Sequence, residues 1–125
     1  MTSEKWAPYI AAWRKRRRRA AEELMRRVET GQVAARECAR VLVERYGAQR
    51  VWLFGSLAHR RFVHTGSDID LAVEGLPPKD YFRALAVIWD LLPLDFELDL
   101  VPLEDAGPSL VDLVRKEGEL LYERA

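Results

Sequence analysis

Val51-Trp52-Leu53-Phe54-Gly55-Ser56 is followed, 11 residues later, by Asp68-Ile69-Asp70-Leu71-Ala72-Val73. Both runs are short, apolar and rich in strand-forming residues, which predicts two buried β-strands. Side chains alternate along a strand, so Asp68 and Asp70 are expected on one face. A third run, from Phe96 to Val101, predicts another strand, with Glu97 and Asp99 on one face.

Three aspartates inside apolar strands break a local rule, because Asp is depleted in strands and an unpaired buried carboxylate is costly. Such breaks are expected at functional sites. We expect Asp68, Asp70 and Asp99 to converge on two divalent cations, and oxygen ligands favour Mg²⁺ or Mn²⁺. The glycine of Gly55-Ser56 lets the backbone approach a phosphate closely, and the serine hydroxyl can help to hold a triphosphate.

Helical periodicity surrounds these strands. Gly31 is interpreted as a stop signal, which predicts a basic N-terminal helix within residues 1–31 and a separate domain at residues 32–125. A helix from about Asp80 to Leu92 is predicted to bury Phe82 and Trp89. The remaining predictions are a helix at 32–46, a helix at 108–116 and a short edge strand at 120–122. Together they predict an α+β fold with a small mixed sheet of three to four strands and helices mainly on one face.

The net charge of zero conceals a strong asymmetry. Residues 1–50 hold 13 Lys and Arg against 6 Asp and Glu, a balance of +7, and residues 51–125 hold 7 against 14, a balance of −7. The basic arm, with its run Arg14 to Arg19, is open to two interpretations: a solvated helix face, or a surface that meets phosphate, nucleic acid or an acidic partner.

Composition also excludes several classes of protein. The single cysteine, Cys38, excludes an internal disulfide framework and is interpreted as a small core residue. No segment resembles a signal peptide or reaches the length of a membrane span, so we expect a cytoplasmic protein.

The two opening motifs resemble the signature of the DNA polymerase β-like nucleotidyltransferase superfamily, and the short chain resembles its minimal nucleotidyltransferase (MNT) branch. The similarity continues through Glu97-Leu98-Asp99-Leu100-Val101 and the closing Arg115-Lys116-Glu117-Gly118-Glu119-Leu120-Leu121-Tyr122. It covers about residues 32–123.

The resemblance implies a role for each motif residue. Gly55 and Ser56 would bind the phosphates of an incoming nucleotide, and Asp68 and Asp70 would ligate both of two Mg²⁺ ions. Asp99 would ligate the ion that activates the acceptor hydroxyl. Independently of the resemblance, Glu97 is an alternative ligand, because it is expected on the same strand face as Asp99. Members of the MNT branch resemble antitoxins that adenylylate a HEPN partner, so the resemblance implies ATP as donor and a HEPN-type protein as acceptor.

Other functions remain open at the level of sequence. One is nucleotide transfer to a small molecule, as in aminoglycoside-modifying relatives, and another is a non-catalytic module that masks a toxin. Nucleic-acid binding through residues 14–19 rests on charge alone. Trp6 and Trp13 either pack on the body or form a partner interface, and the long N-terminal helix indicates a homo- or hetero-oligomer. Four basic side chains of the intervening loop are interpreted as surface groups: His59, Arg60, Arg61 and His64.

Overall fold

The computed structural model describes residues 4–55, 57–58 and 68–125. Its regular elements are α1 (Ala7–Tyr46), β1 (Arg50–Phe54), β2 (Asp68–Glu74), α2 (Tyr81–Trp89), β3 (Glu97–Pro102), α3 (Pro108–Glu117) and β4 (Glu119–Glu123). Short 3₁₀ turns at Pro78–Asp80 and Leu103–Asp105 precede α2 and α3. The predicted strands are all present, including the edge strand β4.

The four strands form one mixed sheet in the order β3-β2-β1-β4. β1 is antiparallel to both β2 and β4, whereas β2 and β3 run parallel. A parallel pair needs a crossover connection, and α2 provides it. The α+β fold with a small mixed sheet is therefore confirmed.

Helix α1 is a single helix of 40 residues, so the prediction that Gly31 ends a helix is wrong. Gly31 is buried inside the helix, where a Cβ would lie only 2.8 Å from Phe96 Cε1 and 2.9 Å from Leu57 Cδ2. A glycine within a helix costs about 1 kcal/mol relative to alanine. At position 31 the glycine allows Phe96 and Leu57 to pack closely against the helix. These two residues are distant in sequence, so the residues around Gly31 do not indicate the contact. The division of the chain at residues 31 and 32 stays a prediction.

Helices pack on both faces of the sheet, α1 and α2 on one face and α3 on part of the other. The larger apolar cluster joins the second half of α1 and the inner side of α2 to one sheet face, including Cys38, Leu42, Leu53, Leu71 and Ile88. A smaller cluster under α3 covers part of the other face, where Val114 packs with Ala72 and Leu103. The carboxylates that the sequence predicts as site residues, Asp68, Asp70 and Asp99, lie on this second face.

Helix α2 buries a different stripe from the one predicted. Ala84 and Ile88 are buried, whereas Phe82 is 80% exposed and Trp89 is 45% exposed. The helix is apolar on more than one side, so two stripes one residue apart satisfy the same periodicity. The position of α2 on the sheet selects between them.

Within the described residues, no helix combines the length and the apolar character that crossing a bilayer requires.

Candidate active site

The carboxylates come together because β2 and β3 are parallel neighbours in register. Asp70 is opposite Asp99, and Asp68 is opposite Glu97. Neighbouring strands lie about 4.7–4.9 Å apart, so paired side chains on one face start within that separation at the backbone. The alternate residues of both strands are buried in the core: Ile69, Leu71, Leu98 and Leu100. The core therefore forces all four carboxylates onto the opposite face.

Gly55 brings the end of β1 against the same carboxylates. Its φ is +77°, a conformation that glycine adopts without strain, and the residue before it, Phe54, is paired with Asp70. A Cβ built on Gly55 would overlap Oδ2 of Asp70. The backbone at this turn and the Asp70 side chain are thus in direct contact, which any larger residue would prevent.

Asp70 lies in an unfavourable environment for a negative charge. Burial raises the pKa of its carboxyl to about 6, with further contributions from the charges of Asp99 and then Asp68. Like charges that share a site oppose each other's ionisation. The structure thus concentrates negative charge at Asp70 without a protein cation among the causes that act on it.

Tyr81 is a residue of this region that sequence reasoning did not single out. Its hydroxyl donates a hydrogen bond of 2.7 Å to the carbonyl of Leu100, next to Asp99 in β3. Burial and the Asp99 charge raise the pKa of the phenol. In the sequence, Tyr81 looks like an ordinary core residue of the first turn of α2. Its proximity to the carboxylates becomes visible only in the folded structure.

The donor set suits hard divalent cations. It consists of carboxylate oxygens from Asp68, Asp70, Asp99 and Glu97, the ligand type that Mg²⁺ and Mn²⁺ prefer. Across residues 4–55, 57–58 and 68–125, no three His, Cys, Asp or Glu side chains already enclose a common point at ligand distance. A cation between converging carboxylates would offset the repulsion between their charges.

The structure describes one part of the predicted site and leaves the other part outside the described residues. The structure brings Gly55, Asp68, Asp70 and Asp99 together on one sheet face. Ser56 lies outside the described residues, as do Ser67, His59, His64, Arg60 and Arg61, so their predicted roles stay predictions.

Cys38 lies away from this face, in the core between α1 and α2. Its thiol donates a hydrogen bond of 3.6 Å to the carbonyl of Ile88. Burial raises the pKa of the thiol to about 12, which disfavours the thiolate. The interpretation of Cys38 as a core residue rather than a nucleophile is confirmed.

The family model for "Polymerase beta, Nucleotidyltransferase" matches residues 36–125. No match was found among proteins of curated function.

The solved structures that are similar to the chain include three toxin–antitoxin complexes. A chain in the crystal structure of a toxin–antitoxin with AMP-PNP has 26% identity and a TM-score of 0.58, and the match covers 71% of this chain and 73% of that one. A chain in the toxin–antitoxin MntA–HepT has 25% identity and a TM-score of 0.54, over 74% and 73%. A chain in the complex of the tri-AMPylated Shewanella oneidensis HEPN toxin with MNT antitoxin has 23% identity and a TM-score of 0.52, and the match covers 78% of this chain and 73% of that one. At this level of identity, the similarity supports the fold only.

Proposed function

This chain belongs to the polymerase beta nucleotidyltransferase family, and we propose that it transfers AMP from ATP to a hydroxyl group of a HEPN-type protein partner, as an antitoxin. The similar toxin–antitoxin structures support this choice of partner, and the AMP-PNP in one of them supports an adenine nucleotide as donor. We place the reaction in the cytoplasm, where ATP is abundant.

The observation that carries the proposal is the pairing of Asp70 with Asp99 across two parallel strands, beside the glycine turn at Gly55. The pairing concentrates negative charge, and the turn exposes backbone that can approach a phosphate. A structural ion pair would explain isolated aspartates. It does not explain a set of carboxylates on one face, where burial first and then the charges of Asp99 and Asp68 raise the pKa of Asp70.

The proposed chemistry is an in-line displacement at the α-phosphorus of ATP. The acceptor oxygen forms a new bond to that phosphorus while the bond to the bridging oxygen breaks and pyrophosphate leaves. Asp99 accepts the proton of the acceptor hydroxyl. Two Mg²⁺ or Mn²⁺ ions bound by Asp68, Asp70 and Asp99 would supply neutralisation of the triphosphate charge and activation of the hydroxyl. Gly55 and Ser56 hold the outer phosphates by backbone and hydroxyl groups.

The test combines labelled ATP, Mg²⁺ and the purified product of the neighbouring gene as the candidate partner. The wild-type chain is expected to add AMP to the partner, seen as a gain in intact mass. Asp68→Asn with Asp70→Asn is expected to lower the rate at least about 100-fold, the scale on which loss of an electrostatic stabiliser acts. Asp90→Asn, an exposed aspartate after α2, is the matched control and should keep the wild-type rate.

Two results would replace the proposal. If the double variant neutralises the toxin as well as the wild type and the partner never gains mass, the chain acts by masking. If pyrophosphate is released only when a small hydroxylated compound is added, the acceptor is a small molecule.

Asp99 and Glu97 can be separated by the same assay. Asp99 is paired with Asp70 and contributes to its raised pKa, whereas Glu97 is paired with Asp68 at the start of β3 and is not among those causes. We therefore expect Asp99→Asn to lower AMP transfer about 100-fold or more, and Glu97→Gln to lower it less than about tenfold. The reverse order would make Glu97 the ligand.

A further inference from the structure

The first half of α1 projects from the rest of the chain as a free helix. From Ala7 to Arg26 its residues are exposed, apart from the partly exposed Ile10, and the first buried residue is Val28. At 1.5 Å per residue, the 20 residues from Ala7 to Arg26 extend about 30 Å. We call this segment, residues 7–26, the arm; the next residue, Arg27, already bonds to the carbonyl of Asp95 in the body.

Positive charge surrounds the arm on every side at residues 14–19, while Glu22 and Glu23 give the following turn two negative charges. Six successive residues are basic and exposed: Arg14, Lys15, Arg16, Arg17, Arg18 and Arg19. Successive residues are about 100° apart around a helix, so six of them pass more than once around its circumference. Within the described residues, none of the six forms an ion pair with Asp or Glu. Their charge is therefore available to an external anion.

The aromatic side chains of the arm, Tyr9 and Trp13, are engaged with neighbours on the same helix or, in the case of Trp6, just before it. The Arg17 guanidinium lies 4.9 Å from the ring centroid of Trp13. The rings of Trp6 and Tyr9 are 5.9 Å apart. Stacking on single-stranded bases requires free ring faces, and these contacts occupy part of them. The groups that the arm offers outward are mainly guanidinium ions.

The arrangement of charge selects among possible partners. A second copy of the arm would bring two basic runs side by side, because residues 14–19 lie at the middle of residues 7–26. An acidic protein surface would contact one side of the helix and leave the other positive side unmatched. The major groove of B-form DNA is about 12 Å wide, admits an α-helix and has phosphates on both sides of it. The major groove of A-form RNA is too narrow for this.

The acidic body does not cancel this attraction. Residues 51–125 carry a balance of −7, but Arg19 is nine residues from Val28, about 14 Å along the helix axis, and Arg14 is about 21 Å away. Both distances exceed the Debye length of about 8 Å at physiological salt, beyond which exposed charges are largely screened.

We propose that the arm binds duplex DNA by inserting α1 into the major groove, with the basic run of residues 14–19 contacting phosphates on both sides. This binding is separate from nucleotide transfer and does not depend on it. Six contacts would make the affinity fall steeply with salt, because each neutralised phosphate releases about 0.9 counterions.

The test measures anisotropy of a fluorescent DNA duplex of about 20 base pairs with the full chain, between about 50 and 200 mM NaCl. The variant Arg16→Gln/Arg17→Gln/Arg18→Gln keeps a good helix former at each position. It is expected to weaken binding at least about tenfold at low salt and to reduce the slope of log K against log salt by about 3.

The control removes the same number of charges from the same helix. Arg36→Gln/Arg40→Gln/Arg45→Gln changes three exposed residues of its second half and should leave DNA affinity within about twofold. Equal losses in both variants, or an affinity of the wild type that salt does not change, would overturn the proposal. Tighter binding to an RNA duplex or to single-stranded DNA would also overturn it.

The AMP-transfer assay separates DNA from a protein occupant of the arm. The arm variant is expected to adenylylate the partner at the wild-type rate. A loss of transfer with unchanged DNA binding would show that the arm docks on the protein partner instead.

Discussion

Gly55 combines a backbone requirement with a steric one. Its φ is +77°, and its missing side chain leaves room for Oδ2 of Asp70. Gly47 has nearly the same φ, +75°, but a Cβ there would meet nothing within 4 Å. Substitutions at both glycines would strain the backbone, but only a substitution at Gly55 would also contact the Asp70 carboxylate of the proposed site.

We predict that Gly55→Ala lowers AMP transfer about 100-fold, because the new methyl group displaces the Asp70 carboxylate, and misplacement by about 1 Å has effects of that size. Gly47→Ala should lose a similar stability, about 1–2 kcal/mol from the left-handed conformation, but keep its activity. Transfer rates and thermal unfolding of both variants test this. Equal activities would show that Gly55 serves only the turn.

At the scale of elements, α1 shows how a local signal is overruled. Gly31 resembles a helix stop, yet the helix passes through it, and the missing side chain leaves room for Phe96 and Leu57. The packing of residues after Val28 fixes a helical segment, and extension from that segment needs no new nucleation. Alanine, arginine, glutamate and leucine, which are good helix formers, then carry the helix outward into the arm.

We predict that Gly31→Val destabilises the fold by about 1–3 kcal/mol, because the added side chain overpacks the contact with Phe96 and Leu57. Thr30→Val places the same side chain at the exposed neighbouring position and should change stability by less than about 0.5 kcal/mol. Chemical denaturation of both variants measures the difference. A stable Gly31→Val protein would mean that the helix can shift to relieve the contact.

At the scale of the whole molecule, the chain consists of a packed body and a basic arm. The two differ in charge, and the buried side chains of α1 begin only at Val28. Trp6 and Trp13 are 54% and 50% exposed, so of the two earlier interpretations, packing on the body is wrong for the isolated chain.

We predict that Trp13→Ala leaves the free energy of unfolding within about 0.5 kcal/mol of the wild type, because the ring contacts the arm and not the body. Leu42→Ala in the second half of the same helix should cost about 2–5 kcal/mol, since Leu42 is fully buried. Thermal or denaturant unfolding of the isolated chain compares them. A large loss for Trp13→Ala would show that the arm folds back onto the body.

The sequence alone determined the strands, the face on which each aspartate lies, the family and the charge asymmetry. These follow from local rules, since the alternation of side chains along a strand depends only on backbone geometry. The tertiary structure decided that Asp70 pairs with Asp99, that Gly55 touches Asp70, that Gly31 lies inside a helix and that Ile88 rather than Trp89 is buried. Each of these depends on contacts between residues distant in sequence, and the local pattern allows more than one such arrangement.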